Sequence, residues 1–264
     1  MVYDGFFNAI DSCIKEDGSI DAKKLKTIKT FKDAGALAFD IPMLLDACSR
    51  NENGDYNPVD IQLISDLTSC IIGGNEVCSL LPVMKANDEI KDIIMLCAPY
   101  FDRNENLFEA LSLMKKPDGK YGENEMEFFY DLAFSFFSEE DNYGKDDDFL
   151  KIAEEIMSLA KNEHGEISDD ATGICAIMLN KNESISDVKE ALIACFDENN
   201  KVDKNLAQVL WDMYVLGASF DEVKQVLDAC KHEDGLINDD KINTFISMIE
   251  TKSSKEEILN VFTK

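Results

Sequence analysis

One phrase recurs along the chain and constrains its fold more than any other feature of the sequence. It joins the apolar end of a helix to a helical stop signal, as in IDSCIKEDGSID near the start and VLDACKHEDGLIN near the end. Anchored on its glycine or the equivalent residue, the phrase occurs about seven times at a spacing of roughly 35 residues. The anchors are Gly18, Gly54, Asp88, Gly119, Gly165, Asn200 and Gly235, of which Asp88 keeps the pattern least.

Each phrase contains the end of one helix and the start of the next. Glycine readily adopts the left-handed conformation that ends a helix, and asparagine tolerates it next best, so Asn200 fits the alignment. Two residues later comes an apolar residue, followed by a side chain that can cap the free amides of a new helix. The predicted caps are Asp21, Asn57, Ser168, Asp203 and Asn238.

Each repeat is therefore predicted to be a hairpin of two antiparallel helices of about 10 to 15 residues. Ser219 and Glu222 form a capping-box pattern that predicts the start of one first helix. Gly35, Gly74 and Gly217 are expected to end second helices. Because neither helix can bury its apolar face alone, the hairpins should stack into an all-α, right-handed α-solenoid, with a compact multi-helix bundle as the alternative.

Over nearly the whole chain, this pattern resembles the αα-hairpin solenoids of the HEAT and armadillo type. The tetratricopeptide and ankyrin signatures are absent, so the resemblance is to the general class. It implies a single helical-repeat domain over residues 1–264, and it implies a scaffold that binds other macromolecules on an extended face.

Charge limits the kinds of partner. The 264 residues include 53 acidic and 26 basic side chains, which gives a formal net charge of −27. Such a field repels nucleic acid and anionic lipid and favours basic proteins. No run approaches the roughly 20 apolar residues of a membrane span, and acidic residues stand where a secretory signal would be basic. We expect a cytoplasmic monomer without nucleic-acid or membrane contacts.

The eight cysteines are interpreted as core thiols. Four of them are expected at one equivalent position, just before the helix stop, namely Cys13, Cys48, Cys195 and Cys230. With two histidines and no CxxC pair, a structural metal site has no visible ligand set.

The turn phrase also shares the Asp-Gly-x-Ile core of EF-hand calcium loops. Its first ligand position, however, holds Cys13, Met114, Ala160 or Cys230 where calcium needs a carboxylate. No nucleotide-binding or hydrolase motif occurs. The sequence thus predicts no metal, no cofactor and no catalytic residue.

The fourth repeat departs most from the pattern. Its second helix, MEFFYDLAFSFF, holds more large rings than one buried stripe can contain, and an acidic insertion at 138–149 follows it. Aromatic anchors beside acidic groups suit a basic protein segment, whereas the alternative is a thick core with a solvated loop. The candidate partner-binding residues are Phe129, Tyr130, Phe136, Glu139, Glu140, Asp141, Tyr143, Asp146, Asp147 and Asp148.

A lysine cluster marks the second helix of the first repeat. It is predicted to form the polar coat of a terminal repeat, with Leu25, Ile28 and Phe31 facing inward. Docking of this cluster on the acidic body of another copy is the alternative. The cluster comprises Lys23, Lys24, Lys26, Lys29 and Lys32.

Together these features favour a non-enzymatic scaffold that binds a basic protein partner. Two other classes stay open at this point. One is a helical small-molecule-binding protein or enzyme accessory subunit, and the other is an acidic mimic of nucleic acid.

Overall fold

A computed structural model describes residues 4–70, 73–101, 104–138 and 145–263. Helix accounts for 66% of the chain and the described residues form no strand, which confirms the all-α class. The helices of the described residues are α1 (Asp4–Asp11), α2 (Ala22–Asp33), α3 (Ile41–Ala47), α4 (Pro58–Ser69), α5 (Gly74–Ala86), α6 (Asp88–Cys97), α7 (Asn104–Leu113), α8 (Glu123–Phe137), α9 (Asp146–Ala160), α10 (Asp169–Asn180), α11 (Ile185–Ala194), α12 (Lys204–Val215), α13 (Phe220–Ala229), α14 (Asp239–Glu250) and α15 (Lys255–Phe262).

The chain divides into two compact units, Met1–Phe108 and Glu109–Lys264. The division falls inside α7, so α1 to α6 belong to unit 1 and α8 to α15 to unit 2. The single domain expected from the sequence stays a prediction.

Six turns of one geometry connect paired helices, and we call them corners. In each corner the second and eighth residues form an isolated antiparallel bridge, such as Ile14 with Ile20 and Lys231 with Ile237. The sixth residue is left-handed, with φ between 58° and 85°. The corners comprise residues 13–21, 49–57, 114–122, 160–168, 195–203 and 230–238.

A main-chain hydrogen bond from the third amide to the seventh carbonyl closes all six corners, and one from the ninth amide to the first carbonyl is present in five of them. In the first corner, the Lys15 amide donates to the Ser19 carbonyl at 2.8 Å, and the Asp21 amide donates to the Cys13 carbonyl at 2.7 Å. The ninth residue then caps the next helix. The predicted caps at Asp21, Asn57, Ser168, Asp203 and Asn238 are confirmed, because each side chain accepts a hydrogen bond from an amide in the first turn.

The polar side chain that braces the corner comes from one of two positions. Where the third residue is Asn51, Asn162 or Asp197, its oxygen accepts the amides two and four residues further on. Where the third residue is lysine or histidine, the aspartate at the fifth position accepts the amide two residues further on instead. These aspartates are Asp17, Asp118 and Asp234. Both solutions satisfy amides that would otherwise lack an acceptor.

A second type of connection joins one hairpin to the next. After α12, the Gly217 amide donates to the Tyr214 carbonyl and the Ala218 amide to the Met213 carbonyl, both at 3.0 Å. This pair of bonds is a Schellman motif, built around the left-handed Gly217. The predicted capping box of Ser219 with Glu222 follows directly and is confirmed, and Ser184 and Ser254 begin α11 and α15 with equivalent boxes.

In unit 1, α1, α3 and α5 contact one another in chain order, while α2 contacts α4 in a second row. The third hairpin has no corner of this type. Asn87, with φ −153° and ψ 113°, alone separates α5 from α6, and Asp88 is the first residue of α6. The alignment of Asp88 with the corner glycines was therefore wrong, since an extended cap residue makes this connection.

Unit 2 has two rows of helices. The odd-numbered helices α9, α11, α13 and α15 contact their neighbours in that order, and so do the even-numbered helices α8, α10, α12 and α14. Polar contacts also link the first turn of α8 to the fourth corner. The Ile167 amide donates to the buried Glu125 carboxylate at 2.9 Å, and the Asn124 amide group donates to the Ile167 carbonyl at 3.0 Å.

Two sequence alignments need correction. The residue equivalent to Cys13 in the second corner is Ser49, whose carbonyl accepts the Asn57 amide; Cys48 lies one position earlier. Gly74 is the first residue of α5, so it begins a helix and does not end one. All eight cysteines are free thiols in the structure, and burial raises the pKa of Cys48 to about 12.

The lysine-rich helix α2 buries Thr27, Ile28 and Phe31. Leu25, predicted to face inward, is exposed instead. Residues at its position in later even-numbered helices, such as Met126 and Ala207, are buried. The physical reason is position, because α2 is the first helix of its row in unit 1 and no described helix precedes it there.

Two glycine substitutions separate the effect of conformation from that of packing. An added Cβ meets nothing within 4 Å at either Gly235, where φ is 85°, or Gly173, which is helical. We expect Gly235→Ala to lower the free energy of unfolding by about 1 kcal/mol. Gly173→Ala should raise it by about 0.5–1 kcal/mol. Urea unfolding followed by circular dichroism measures both, and changes of equal sign would contradict the conformational explanation.

Acid should weaken the fifth corner through Asp197. Burial acts to raise the pKa of Asp197, but hydrogen bonds from the Lys201 and Asn199 amides outweigh it and hold the pKa below its ordinary value. This stabilisation is present above the unfolded-state pKa and is lost as the pH falls through the lower folded-state pKa. Asp197→Asn keeps an accepting side-chain oxygen, like the one that Asn51 and Asn162 provide in their corners. The free energy of unfolding at neutral pH should therefore change little, and its decrease below about pH 4 should be smaller than in the wild type. Asp197→Ala is the matched control, and it should lower the free energy of unfolding both at neutral pH and below about pH 4.

Candidate protein-binding face

The even-numbered helices of unit 2 present residues of one register to solvent. Tyr130 lies eleven residues after Gly119, and Ala176, Trp211 and Ile246 have the same spacing from their own corner residues. Because α8, α10, α12 and α14 contact one another in this order, residues of equal register lie on the same side of the row. We call this exposed side the even face.

Large apolar side chains on the even face are unusually open to water. Tyr130 is 38% exposed, Trp211 43% and Ile246 38%, and Phe134 and Val215 one turn further along are 56% and 66% exposed. The Tyr130 and Phe134 rings stack with their centroids 6.2 Å apart. A group of exposed rings and aliphatic side chains on adjacent helices marks a binding surface more often than isolated exposed residues do.

Small residues form the floor of the even face on α10. Ala176 stands where α8 has Tyr130 and α12 has Trp211, and Gly173 lies one turn earlier with open space at its missing Cβ. The neighbouring helices therefore carry bulky side chains where α10 carries almost none. This difference in side-chain size leaves a shallow trough above α10, between the side chains of α8 and α12.

The two rows differ in where their lysines lie. Helices α8 and α10 contain no lysine, arginine or histidine. On the odd-numbered helices, lysines pair with glutamates of the preceding odd helix, as in Lys189–Glu155 at 2.5 Å and Lys224–Glu190 at 2.7 Å. The even face holds Glu127 and Asp131 beside its rings. Its field should therefore attract a basic partner.

A groove of about 620 Å³ opens at the end of α8, next to the even face. Residues of α8, α9, α10 and the start of α11 surround it, and we call it the end groove. Its lining residues include Asp131, Phe134, Phe136, Ile152, Leu179 and Glu183. Phe134 belongs to both the groove and the even face.

Asp131 is the electrostatically unusual residue of the end groove. Burial, with a smaller contribution from the Glu127 carboxylate, raises its pKa to about 6. The Cys175 thiol of α10 faces the same carboxylates and has its pKa raised, mainly by burial and further by Asp131 and Glu127. A carboxyl group half-removed from water without a cation beside it is a candidate binding group.

The predicted aromatic anchors are only partly accessible. Phe129 is fully buried, with its ring centroid 5.3 Å from that of Phe149, so it cannot contact a partner. Tyr130 is exposed on the even face, and Phe136 is half-buried in the end groove. Helical spacing explains the difference, since Phe129 falls on the core side of α8 and Tyr130 does not.

The acidic residues of the insertion have different roles. Asp146, Asp147 and Asp148 form the first turn of α9, where negative charge is favourable, and therefore do not belong to a loop. Asp146 is buried, which removes it from the proposed steering charges, whereas Asp147 and Asp148 are exposed. Glu139, Glu140, Asp141 and Tyr143 lie outside the described residues.

Sequence reasoning missed Trp211, Phe134 and Asp131 as site residues. The register of the corners was the signal that could have found Trp211, since it places this residue level with Tyr130. Asp131 carried no such signal, because its unusual environment depends on the packing of α8 against α9 and α10.

No helix of the described residues is both long and apolar enough to cross a membrane. The same residues contain no group of three or more histidine, cysteine, aspartate or glutamate side chains placed to hold a metal ion. Comparison of the chain with protein-family models, curated proteins and solved structures found no match.

Replacing Asp131 should stabilise the fold near neutral pH. The folded-state pKa of Asp131 lies above the unfolded value. The free energy of unfolding therefore falls as the pH rises from the unfolded-state pKa to about 6, and it stays at the lower value above that pH. Asp131→Asn should raise the free energy of unfolding at pH 7.5 by about 1 kcal/mol. This gain is smaller than the pKa shift alone would imply, because solvent screens a half-buried group. The gain should decline between pH 6 and 4.

Urea unfolding at several pH values measures this effect. Glu127→Gln, one turn earlier on the same helix, serves as the control and should give a smaller gain. Destabilisation by Asp131→Asn at pH 7.5 would contradict the account, since it would mean that the carboxylate is needed by the native fold.

Proposed function

We propose that this chain is a non-enzymatic helical-repeat scaffold that binds a basic protein partner across the even face. The observation that carries the proposal is the equal register of exposed Tyr130, Trp211 and Ile246 on α8, α12 and α14, a row of helices that also carries acidic side chains. Rings supply contact area at low entropic cost, and carboxylates steer a basic surface into place.

The proposed architecture is the right-handed α-solenoid of about seven hairpins expected from the sequence. Its support is the order of contacts in unit 2, where each helix touches the next helix of its own row, and α8, α10 and α12 each also touch the odd-numbered helix that follows them in the chain. We also propose a cytoplasmic location, because eight free thiols suit a reducing compartment.

Partner binding can be followed through Trp211, the only tryptophan of the chain. Affinity capture from the native host supplies candidate partners, and each purified candidate is titrated into the protein while Trp211 emission and its quenching by acrylamide are recorded. A partner seated on the even face should shift the emission to shorter wavelength and reduce quenching. Its affinity should fall as salt is raised, because exposed charges are screened.

Gly173 offers a blocking variant that leaves the core untouched. Gly173→Trp fills the trough, and Gly173→Ala adds a methyl group in the same open space. We expect Gly173→Trp to weaken binding at least about tenfold and Gly173→Ala to change it little. Trp211→Ala, read by calorimetry, should weaken binding by a similar factor. Full affinity in Gly173→Trp would overturn the assignment of the even face.

A further inference from the structure

The end groove combines apolar walls with the Asp131 carboxylate, for which the described residues supply no counter-ion. Phe134, Ile152 and Leu179 line its sides, and Asp131 projects into it from α8. Among the described residues no hydrogen bond or ion pair reaches the Asp131 carboxylate, whereas the carboxylates of Asp60 and Glu222 bind lysine ammonium groups.

The other charged groups around the groove do not neutralise Asp131. Glu127 lies one turn away on α8 and repels it, and Glu183 lines the groove from the α10–α11 connection. The Glu183 carboxylate accepts a hydrogen bond from the Tyr214 hydroxyl at 3.3 Å, which holds it beside the groove. No basic residue is found among the described residues that line the groove. A ligand that suits this site therefore needs an apolar stem and a positive end.

We propose that the end groove binds one arginine or lysine side chain of the partner, with Asp131 as its counter-ion. The inference rests on the proposed function and specifies its recognition chemistry. Both side chains bury their methylene stems against apolar surface while keeping the charged group in a polar environment. Here the stem lies along Phe134 and Leu179, and the cation reaches Asp131 and the rim carboxylate of Glu183.

The geometry favours a guanidinium group over an ammonium group. A planar guanidinium can stack on the exposed Phe134 ring while it donates two hydrogen bonds to one carboxylate. An ammonium group is more strongly hydrated, so it loses more hydration free energy when it enters a half-buried site. The groove should therefore prefer arginine to lysine at equal stem length.

Small cations test this site without any protein partner. The full chain is titrated with butylguanidinium, butylammonium or neutral 1-butanol at constant ionic strength, and the carboxyl carbon of Asp131 is followed by NMR across the pH range. Butylguanidinium should move the Asp131 titration midpoint to lower pH, because a bound cation favours the carboxylate. Butylammonium should give a smaller shift, and 1-butanol none.

Two variants identify the site of binding. Asp131→Asn should weaken butylguanidinium binding about tenfold or more, read from amide shifts of groove residues, and leave 1-butanol binding unchanged. Asp228→Asn, which removes an exposed carboxylate of α13 outside the groove lining, is the matched control and should retain binding. Equal binding to wild type and Asp131→Asn, or an Asp131 midpoint that butylguanidinium does not move, would overturn the proposal.

The test separates this inference from the proposed function. Trp211→Ala should leave butylguanidinium binding intact while it weakens the protein partner. If small cations bind the groove but no partner binds the even face, the proposed function fails and the groove assignment stands. If a partner binds equally well to Asp131→Asn, the groove assignment fails alone.

Discussion

The left-handed residue of each corner is the constraint on which the hairpins depend. It lets the chain reverse within a few residues while the amides on either side still find carbonyl acceptors. Because the geometry is the same in each of the four corners of unit 2, every following helix begins at the same point of the register. Equal register is what brings Tyr130, Trp211 and Ile246 to one side of the row.

The third hairpin shows that the corner is one solution among others. Asn87 joins α5 to α6 directly, by an extended conformation and a side-chain cap. This connection contains no left-handed residue, so α6 does not begin at the register point that the corners set. Equal register along the even-numbered helices of unit 2 therefore depends on the corner that precedes each of them.

The arrangement of charge has a consequence for recognition more than for stability. Ion pairs such as Lys224–Glu190 and Lys189–Glu155 join exposed side chains, and each contributes about 0–1 kcal/mol. They do, however, neutralise glutamates on the odd-numbered helices. Helices α8 and α10 together have six acidic residues and no basic one, so no ion pair can form within or between these two helices.

Local signals in the sequence were sufficient for the corners and caps. Asp21, Asn238 and the box of Ser219 with Glu222 were predictable because each depends on residues within a few positions. The burial of Phe129 and Asp146 was not, since it depends on how α9 packs against α8. Cys48 was misaligned because a cysteine stands one position before the corner, where only the hydrogen bond to Ser49 identifies the true equivalent.

Three features at the even face and end groove each oppose stability. Trp211 and Phe134 keep apolar surface in water, Gly173 occupies the middle of a helix at a cost of about 1 kcal/mol relative to alanine, and Asp131 is half-buried without a cation. None of them is required by the corners or by the core. A single ligand with an apolar surface and a positive group would relieve the exposure of the rings and the isolation of the carboxylate together, and it would need the space above Gly173. Their coincidence on neighbouring helices is therefore better explained by a binding surface than by three independent imperfections of packing.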